Sequence, residues 1–502
     1  MKCRTTLSAV VLSICGHLPT AGAAPQEFQI RLLTPLASYT KAGTPFEAKV
    51  IGSTSAPRPS GLPPGARIFG SVVTAKATGL GFRRERALLE LGFERCELPT
   101  GEEIVCTVEL TSVDNAREHM KDGQIRGILA ASHPNSFLNG VWYRPGLTSI
   151  PRAAMGLTGA GGMISSNFIP GATGAPIVIV AHMLLFRMPE PEIELPSGTD
   201  LIVQIDAQVE PQIEAVTEDQ IFSTELLDRM AAISPLVTNA DDAGVADLLN
   251  VALIGDSDQV TQAFEDAGWS GTDARDKNSV MRTYAAYAGK KPYATAPVSA
   301  LYNRGFLPDL VFQKSFNTTA RRHHIRLWEV EVPGEGTAWI GAASQDTNIT
   351  YNLWRMSLSH RIDPLIDRER IMLINDLAAA GCLASVRNVE RPDLSQLSRI
   401  TEMATTDGAL SIAAIQACTS PAPEPVAPVK PHRSFGAKML RQVVLDTRHY
   451  VTRGNAYYWI YSGLRHLHSS RKSAGEDDGD VTSNTAENRA KKPAANAFRP
   501  SD

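Results

Sequence analysis

The sequence predicts a multidomain protein: an N-terminal all-β domain, either a barrel or a sandwich, followed by an α+β domain and a C-terminal helical tail. Three observations predict it. Apolar residues alternate with a period of two up to about residue 211, helical periods interleave with short strands after it, and a proline-rich stretch then precedes a basic, aromatic segment. The length of 502 residues also exceeds what a single hydrophobic core usually covers.

The N-terminus predicts export. Lys2 and Arg4 precede a short apolar run at 7–16, and the small residues Ala-Gly-Ala follow at 21–23. This order is typical of a secretory signal peptide, which we place at residues 1–24. The apolar run is far shorter than the roughly 20 residues that a membrane-spanning helix needs. We therefore expect a protein of the periplasm or one associated with the outer membrane.

Charge and cysteine content narrow the class of protein. The formal net charge of −4 gives no general attraction to nucleic acid, which we exclude as a partner. The cysteines beyond the predicted signal peptide are even in number, as suits a compartment that permits disulfides. Cys96 and Cys106 flank a segment centred near Gly101, so a hairpin there would pair them in a disulfide. The alternative is two half-buried strand cysteines without a bond, and spacing alone argues no pairing of Cys382 with Cys418.

The all-β domain is predicted over residues 28–215. Alternation with Gly and Pro punctuation predicts six strand segments: EFQIRLL, PFEAKVIG, ARIFGSVVTA, ALLELGFERCEL, EIVCTVELTSV and DLIVQIDAQV. The glycines of its turns, Gly43, Gly65 and Gly198, suit a positive φ. An insertion at 153–186 contains no Asp, Glu, Lys or Arg. It is either a flexible loop with a buried strand or a hairpin that touches a membrane.

The order of these phrases resembles the outer-membrane core subunits of type IV secretion machines, the VirB/TrbI type. The likeness covers roughly residues 40–210 and rests on LPPGARIFGSV, RALLELGFERCELPTGEEI, the apolar insertion and PEIELPSGTDLIVQI. The resemblance implies a β-barrel or sandwich fold, and it implies partners among envelope or secretion-system proteins.

A helical connector is predicted at 216–245, and the α+β domain at 246–395. VADLLNVALIG indicates one buried strand, and the helix after it begins at a cap formed by Asp256 or Ser257. A final helix ends at Gly381. Between these helices lie four strand-like runs: VSALYN, DLVFQKSF, HHIRLWEVEV and TAWIGAAS.

The motifs of this second domain resemble the LssY C-terminal domain family. They span roughly residues 249–383 and are VALIGDSDQVTQAFEDAGW, PVSALYNRGFLPDLVFQKSF, RRHHIRLW, TAWIGAASQD and SHRIDPLIDRER. The family takes its name from a protein linked to type I secretion, and its C-terminal domain has no established activity. The resemblance therefore implies a link to secretion or the cell surface. It implies no phosphatase activity, because the membrane phosphatase-like modules of some relatives have no counterpart in this sequence.

Histidines, arginines and acids in these motifs are the candidate site. Alternation in HHIRLW places His324, Arg326 and Trp328 on one face of a strand. If neighbouring strands bring His360 and an aspartate close to that face, the set suits a zinc or iron ion, or arginines could hold a phosphate or carboxylate instead. A third possibility is that the histidines are structural. The candidate ligand-binding residues are His324, Arg326, Asp346, His360 and Arg370, with His324 and His360 as the candidate metal ligands and Arg361 as a further anion partner. No particular cofactor is predicted.

The segment SHRIDPLIDRER also has a structural interpretation. Asp363 before Pro364 is the preferred opening of a helix, with Asp at the cap and Pro in the first turn. Asp367 and Glu369 then favour the positive end of the helix dipole. Arg368 and Arg370 are expected to face solvent under this interpretation.

A different catalytic set is also conceivable from short motifs. GDS at residues 255–257 and Asp446-x-x-His449 resemble the first and last blocks of GDS-type hydrolases, which would give a triad of Ser257, His449 and Asp446. The Gly-x-Asn-Asp block that supplies an oxyanion hole in those enzymes is missing. Helix capping already explains Asp256 and Ser257.

Three segments follow the second domain. Residues 419–433 form an extended proline-rich linker, residues 434–468 predict an amphipathic aromatic helix, and residues 470–502 are polar and predicted to be disordered. Basic and aromatic residues together suit a membrane surface or a partner groove, or the helix packs on the protein itself.

Together these features predict an exported envelope protein with an LssY-like domain, a structural or binding component linked to secretion or the cell surface. The alternative is a hydrolase, or an enzyme that depends on a metal or anion, with its His/Arg/Asp site in the LssY-like domain. The sequence does not decide whether the protein is an enzyme. The geometry of the candidate residues separates the two.

Overall fold

The computed structural model describes residues 26–54, 62–80, 84–114, 117–128, 190–207, 222–239 and 245–447, with breaks within 277–290, 316–320, 333–335, 353–356 and 392–403. Over residues 348–361 it describes the strand backbone alone. The predicted signal peptide, the apolar insertion and the tail beyond Thr447 lie outside the described residues. Both domains belong to one compact unit that ends at Ala437.

The N-terminal domain is an antiparallel sheet that curls into a nearly closed barrel. Its strands follow the order β7-β11-β1-β3-β4-β5-β9-β8, with β6 paired to β5, and β7 also approaches β5 and β8. A separate small ladder joins β2 and β10. The strands are β1 Gln26–Leu32, β2 Leu36–Ala37, β3 Pro45–Ser53, β4 Arg67–Lys76, β5 Leu88–Glu97, β6 Glu103–Ile104, β7 Cys106–Val113, β8 His119–Lys121, β9 Gln124–Arg126, β10 Glu194–Leu195 and β11 Asp200–Ala207.

Strand β1 is buried on both of its faces. Phe28, Ile30 and Leu32 point into the barrel core, as the period-two pattern predicts. Gln29 and Arg31 point the other way and are buried as well. A polar side chain buried on the outer face of a barrel needs a partner from elsewhere in the fold. For these two residues the partners are Asp200 of the neighbouring strand β11 and Asp376 of the second domain.

Turns and a disulfide fix the ends of the barrel strands. Gly43, Gly65 and Gly198 all have positive φ, as predicted. Cys96 at the end of β5 and Cys106 at the start of β7 are joined by a disulfide with a Cα separation of 6.0 Å, within the usual range. The turn between them contains Gly101, also at positive φ.

The second domain is an eight-stranded mixed sheet with few helices. Its strand order is β15-β16-β17-β18-β14-β21-β20, with β19 paired to β18, and β14 and β21 run parallel. A small ladder joins β12 and β13. The strands are β12 Leu236–Thr238, β13 Val245–Leu248, β14 Val251–Ile254, β15 Ser270–Gly271, β16 Leu310–Lys314, β17 Arg322–Val332, β18 Gly336–Asn352, β19 Ser357–Ile362, β20 Leu383–Glu390 and β21 Ala409–Ile415; the helices are α1 Thr224–Ala232, α2 Ser257–Asp266 and α3 Ile366–Ala379.

Helices cover both faces of this sheet. Apolar residues of α2 and α3, among them Phe264 and Leu373, pack on one face against Leu253 and Ile325. Residues of α1 pack on the other face in a core that contains Trp328. The strands between the two cores, β14, β17, β18 and β21, are therefore packed on both faces over the part that the cores cover.

The structure differs from the sequence predictions in this domain at two strands. The connector predicted as helical over 216–245 contains α1 and then the strand Leu236–Thr238, whose residues Leu-Val-Thr favour a strand. The single strand predicted at 245–255 is two strands, interrupted at Asn250. The side chain of Asn250 exchanges two hydrogen bonds of 2.9 Å with the backbone of Ala343, and so replaces a strand residue at this point.

Helix α3 begins later than the motif Asp363-Pro364 predicts. The N-cap position is Leu365, and Asp363 accepts a hydrogen bond from the Leu365 N–H. Thr405 holds this segment outside the helix, since its N–H donates to the Pro364 carbonyl at 2.6 Å. The prediction that Arg370 faces solvent is wrong, because Arg370 is buried, whereas Arg368 is exposed.

The proline-rich segment 419–433, here called the strap, lies along both domains. Its start is tied by the Cys382–Cys418 disulfide to the end of α3. Further along, its contacts are Ala422 N–H to the Asp266 carbonyl in the second domain, Val426 N–H to Ser197 Oγ in the first domain, and Lys430 Nζ to Glu194 Oε2 in the first domain. Helix α4, Phe435–Thr447, follows. Among the described residues, no helix combines the length and apolarity needed to cross a bilayer.

Candidate functional site

Strand β17 carries polar side chains to both of its faces. Arg322, His324 and Arg326 share one face of the strand. His323 lies on the opposite face, next to Ile325. All of them are buried. Since β17 is flanked by β16 and β18, each face is also lined by residues of those strands. The result is two separate charged clusters, one on each face.

The first, called the intradomain cluster, lies within the second domain. Its members are Arg322, His324 and Arg326 of β17, Ser344 and Asp346 of β18, and Asp247 of β13. The predicted residues His324, Arg326 and Asp346 thus come together, because β17 and β18 are adjacent strands.

Ion pairs and hydrogen bonds link the members of the intradomain cluster in a chain. Arg322 Nε donates to Asp346 Oδ2 at 2.8 Å, and the same oxygen lies 3.9 Å from His324 Nδ1. His324 Nε2 lies 3.1 Å from Ser344 Oγ, which donates to Asp247 Oδ2 at 2.8 Å. Each of these side chains therefore contacts at least one other member of the cluster.

Arginine neutralises the acids of this cluster. Arg326 Nη1 lies 3.6 Å from Asp247 Oδ2, and its Nε donates to the Ser299 carbonyl. Burial raises the pKa of Asp247 despite that neighbour, and burial lowers the pKa of Arg326. Both shifts have the sign that desolvation of a charge produces.

Two predicted site residues lie elsewhere. Arg370 of α3 pairs with Asp367 at 3.0 Å and Asp407 at 2.7 Å. Strand β19 places the His360 backbone opposite Ile349 of β18, whereas His324 lies opposite Ser344. At about 3.3 Å per residue, that register separates the two histidine positions by roughly 16 Å along β18. The side chains of His360 and Arg361 lie outside the described residues.

The second, called the interdomain cluster, joins the two domains. The β-domain contributes Gln29, Arg31, Asp114 and Asp200, and the second domain contributes Trp269, Lys314, His323, Gln345, Glu369 and Asp376. His323 is not among the candidate residues predicted from the sequence, and the sequence does not reveal this cluster, because its members are far apart in the chain. Arg31 and Asp376, for example, are separated by 345 residues.

Asp376 of α3 lies at the centre of one half of this cluster. It accepts hydrogen bonds from Arg31 Nη2 at 2.7 Å, from Lys314 Nζ at 2.6 Å and from Trp269 Nε1 at 3.1 Å. Arg31 in turn holds Asp200 through two hydrogen bonds of 2.7 and 2.9 Å, the bidentate geometry of a strong pair. Burial alone would raise the pKa of Asp200, and Arg31 and Lys314 outweigh it and lower the pKa to about 2.

His323 forms the other half of the cluster and bridges the domains. Its Nε2 lies 2.7 Å from Asp114 Oδ2 in the β-domain, and its Nδ1 lies 2.7 Å from Glu369 Oε2 on α3. Burial alone would lower the pKa of His323, but the two carboxylates outweigh burial and raise it to about 10. With its pKa raised this far the imidazole is protonated at neutral pH, so its Nε2–H donates to Asp114 across the interface and its Nδ1–H donates to Glu369 within the second domain.

Polar contacts continue around the rim of this interface. Asn375 Nδ2 donates to the Ser53 carbonyl at 2.9 Å. Asn317 Nδ2 donates to Glu118 Oε2 at 2.9 Å. Arg368 lies 3.3 Å from Glu27 in an exposed pair. These contacts between the domains are hydrogen bonds and ion pairs.

In the described part of the chain, Ser257 is the first residue of helix α2. Asp256 accepts the Gln259 N–H at 2.8 Å and the Gln259 side chain accepts the Asp256 N–H, a capping box at the start of α2. The side chains of Asp446 and His449 lie outside the described residues. Among the side chains that are described, no three His, Cys, Asp or Glu residues are grouped to hold a metal ion.

The fold defines a two-domain, mostly β protein. Its second domain matches the family described as LssY C-terminus, whose model covers residues 229–410. Among solved structures, the chain is similar to ComB10 of the Com type IV secretion system of Helicobacter pylori, with 10% identity, 36% of this chain and 85% of that chain covered, and a TM-score of 0.17. A comparison with curated proteins gives no match.

Proposed function

We propose that the protein is an exported component of the bacterial envelope with a structural or binding role. In it, ion pairs between buried side chains join the β-domain and the LssY-like domain. One observation carries the proposal. The residues expected to do chemistry, His324, Arg326 and Asp346, are buried and engaged with one another and with Asp247 and Ser344. Catalytic groups need contact with a substrate, whereas this arrangement serves the stability of the domain.

Two disulfides support export. Cys96 pairs with Cys106 and Cys382 pairs with Cys418, and such bonds persist in oxidising compartments. The signal-peptide pattern at 1–24 agrees with that location. The match to the LssY C-terminus family supports a link to secretion or the cell surface, with envelope or secretion-system proteins as partners.

The alternative is a hydrolase or a metal- or anion-dependent enzyme that uses His324, Arg326, Asp346, His360 and Arg370. The two proposals differ in what His324→Ala changes. A structural role predicts a loss of about 1–3 kcal/mol of folding free energy, because a buried hydrogen-bonded group is removed. An enzyme role predicts near-native stability with loss of binding to zinc or inorganic phosphate.

Urea denaturation and calorimetric titration with each probe distinguish these outcomes. His360→Ala is tested beside His324→Ala, and His432→Ala, at an exposed position, is the matched control. Near-native stability of His324→Ala together with lost zinc or phosphate binding would overturn the structural role. Export is tested separately, by fractionation and mass spectrometry of the mature N-terminus; a chain that retains Met1 in the cytoplasm contradicts it.

A further inference from the structure

Helix α4 presents an apolar stripe to solvent. At 100° per residue, four large apolar side chains fall within an arc of about 140° on one side of the helix. Their exposed fractions are 83% for Phe435, 61% for Met439, 62% for Leu440 and 49% for Val443. The residues on the opposite side, Arg441 and Leu445, are buried. The helix is therefore amphipathic with its apolar side outward, the reverse of a helix that covers a core.

Basic residues accompany this stripe. Lys430, His432 and Arg433 precede the helix and Lys438 lies within its first turns, whereas the sequence has no acidic residue between Glu424 and Asp446. Lys430, His432 and Lys438 are exposed, and Lys430 also pairs with Glu194. The segment is locally cationic although the whole chain carries a formal charge of −4. Its charge complements an anionic surface.

The end of the strap is held on the first domain. Hydrogen bonds between Val426 and Ser197, and the Lys430–Glu194 pair, hold the chain on the first domain just before the helix begins. Val429, at 92% exposed, adds one more apolar side chain next to the basic residues. Cationic and apolar groups thus lie close together in the sequence, at the end of the strap and in α4.

We propose that the strap end and α4, residues 429–443, bind the surface of an anionic phospholipid bilayer. The apolar stripe enters the boundary between headgroups and acyl chains, and the basic residues contact lipid phosphates. A protein groove would match the apolar stripe alone, whereas the basic residues of a segment that contains no Asp or Glu between Glu424 and Asp446 favour a uniformly anionic surface. The proposal goes beyond the envelope role proposed above, since that role requires no direct contact with lipid.

Sedimentation with vesicles tests this proposal on the purified full-length chain. The vesicles are phosphatidylglycerol mixed with phosphatidylcholine, and phosphatidylcholine alone. The test variant is Phe435→Ser/Met439→Ser/Leu440→Ser. The matched control is Phe306→Ser/Leu307→Ser, which removes an exposed apolar pair of the second domain, 73% and 53% exposed. A charge variant, Lys438→Glu, tests the electrostatic part. All these side chains are exposed, so thermal melts should match wild type.

The expected result is binding of wild type and control to anionic vesicles, with affinity about tenfold or more lower for the triple variant. Binding should weaken for Lys438→Glu, in high salt and with neutral vesicles. Failure of wild type to bind anionic vesicles overturns the proposal, as does equal binding by the triple variant or equal loss in the control. Concentration-dependent self-association that the triple variant abolishes, without vesicle binding, would assign the stripe to a second copy instead.

Discussion

The intradomain and interdomain clusters lie on opposite faces of one strand, yet they do different things. Arg322, His324 and Arg326 find their acids within the second domain, on β13 and β18. His323, one residue away from two of them, finds one acid on α3 and the other in the β-domain. Residue type is thus a poor guide to role here. The face of the strand decides whether a buried charge holds one domain together or holds two domains to each other.

The largest effect is expected from Asp376→Asn, which breaks the interdomain cluster at its centre. The change leaves Arg31 and Lys314 buried beside an uncharged amide. Removing one partner of a buried ion network usually costs about 3–5 kcal/mol of unfolding free energy. Urea denaturation measures it, with exposed Glu265→Gln as the control, expected within about 0.5 kcal/mol of wild type. A cost below about 1 kcal/mol would mean that Asp376 does not hold the network.

His323 should give the interdomain cluster a pH dependence of a specific sign. Its pKa in the folded state, about 10, lies above the ordinary value of 6.5, because Asp114 and Glu369 outweigh burial. The folded state therefore holds the proton more tightly, and this stabilisation is complete below about pH 6.5 and lost as pH rises through about 10.

The variant His323→Gln isolates this contribution. At pH 6 it should be less stable than wild type by roughly 1.5–3 kcal/mol, the range for hydrogen bonds to charged groups. The difference should shrink steadily in urea melts at pH 8 and pH 10. His324→Gln is the control on the other face of the strand. A difference for His323→Gln that stays constant from pH 6 to pH 10 would show that the imidazole is neutral in the fold.

A double-mutant cycle sharpens the separation of the two faces. Asp114→Asn and His323→Gln remove partners that touch at 2.7 Å, so their effects should be non-additive by about 0.5–3 kcal/mol. Asp114→Asn combined with His324→Gln should be additive within about 0.5 kcal/mol, since His324 is engaged with Ser344 and Asp346 on the other face. Equal coupling in both cycles would show that the two clusters act as one.

The smallest effect is expected at the rim of the interface. Arg368→Ala removes an ion pair with Glu27 whose side chains are 51% and 29% exposed. Exposed pairs contribute about 0–1 kcal/mol, and salt weakens them. Urea denaturation at low and high ionic strength should therefore give nearly equal values for variant and wild type. A loss comparable to that of Asp376→Asn would indicate that the buried centre does not dominate the interface.

Local patterns predicted much of the fold. Alternation located the main barrel strands, such as PFEAKVIG at β3, and Gly65 marked a turn with positive φ. The face assignment of His324 and Arg326 also follows from alternation alone. These features are determined by residues that are close together in the sequence, so they can be predicted from the sequence alone.

What the patterns missed depends on contacts between distant residues. Nothing near Asn250 reveals that its amide replaces a strand residue beside Ala343. The position of Arg370 near the start of a helix predicts an exposed side chain, but the fold buries it in an ion pair with Asp407, 37 residues further along the chain. One signal could have been noticed: Gln29 and Arg31 alternate with fully buried apolar residues in a strand, yet nothing in the sequence names Asp376 as the partner.

The polar character of the interface has a consequence for synthesis. The barrel strands are complete once β11 has been made, so Arg31 and Asp200 can pair before Lys314 and Asp376 exist. Until the second domain arrives, the outer face of β1 carries a hydrated ion pair and a glutamine instead of an apolar patch. A newly made first domain therefore exposes a polar surface on the outer face of β1. Burying this surface against an unrelated chain is unfavourable, because its ion pair and glutamine would lose water without gaining matching partners. Only the matching charges of the finished second domain make its dehydration favourable.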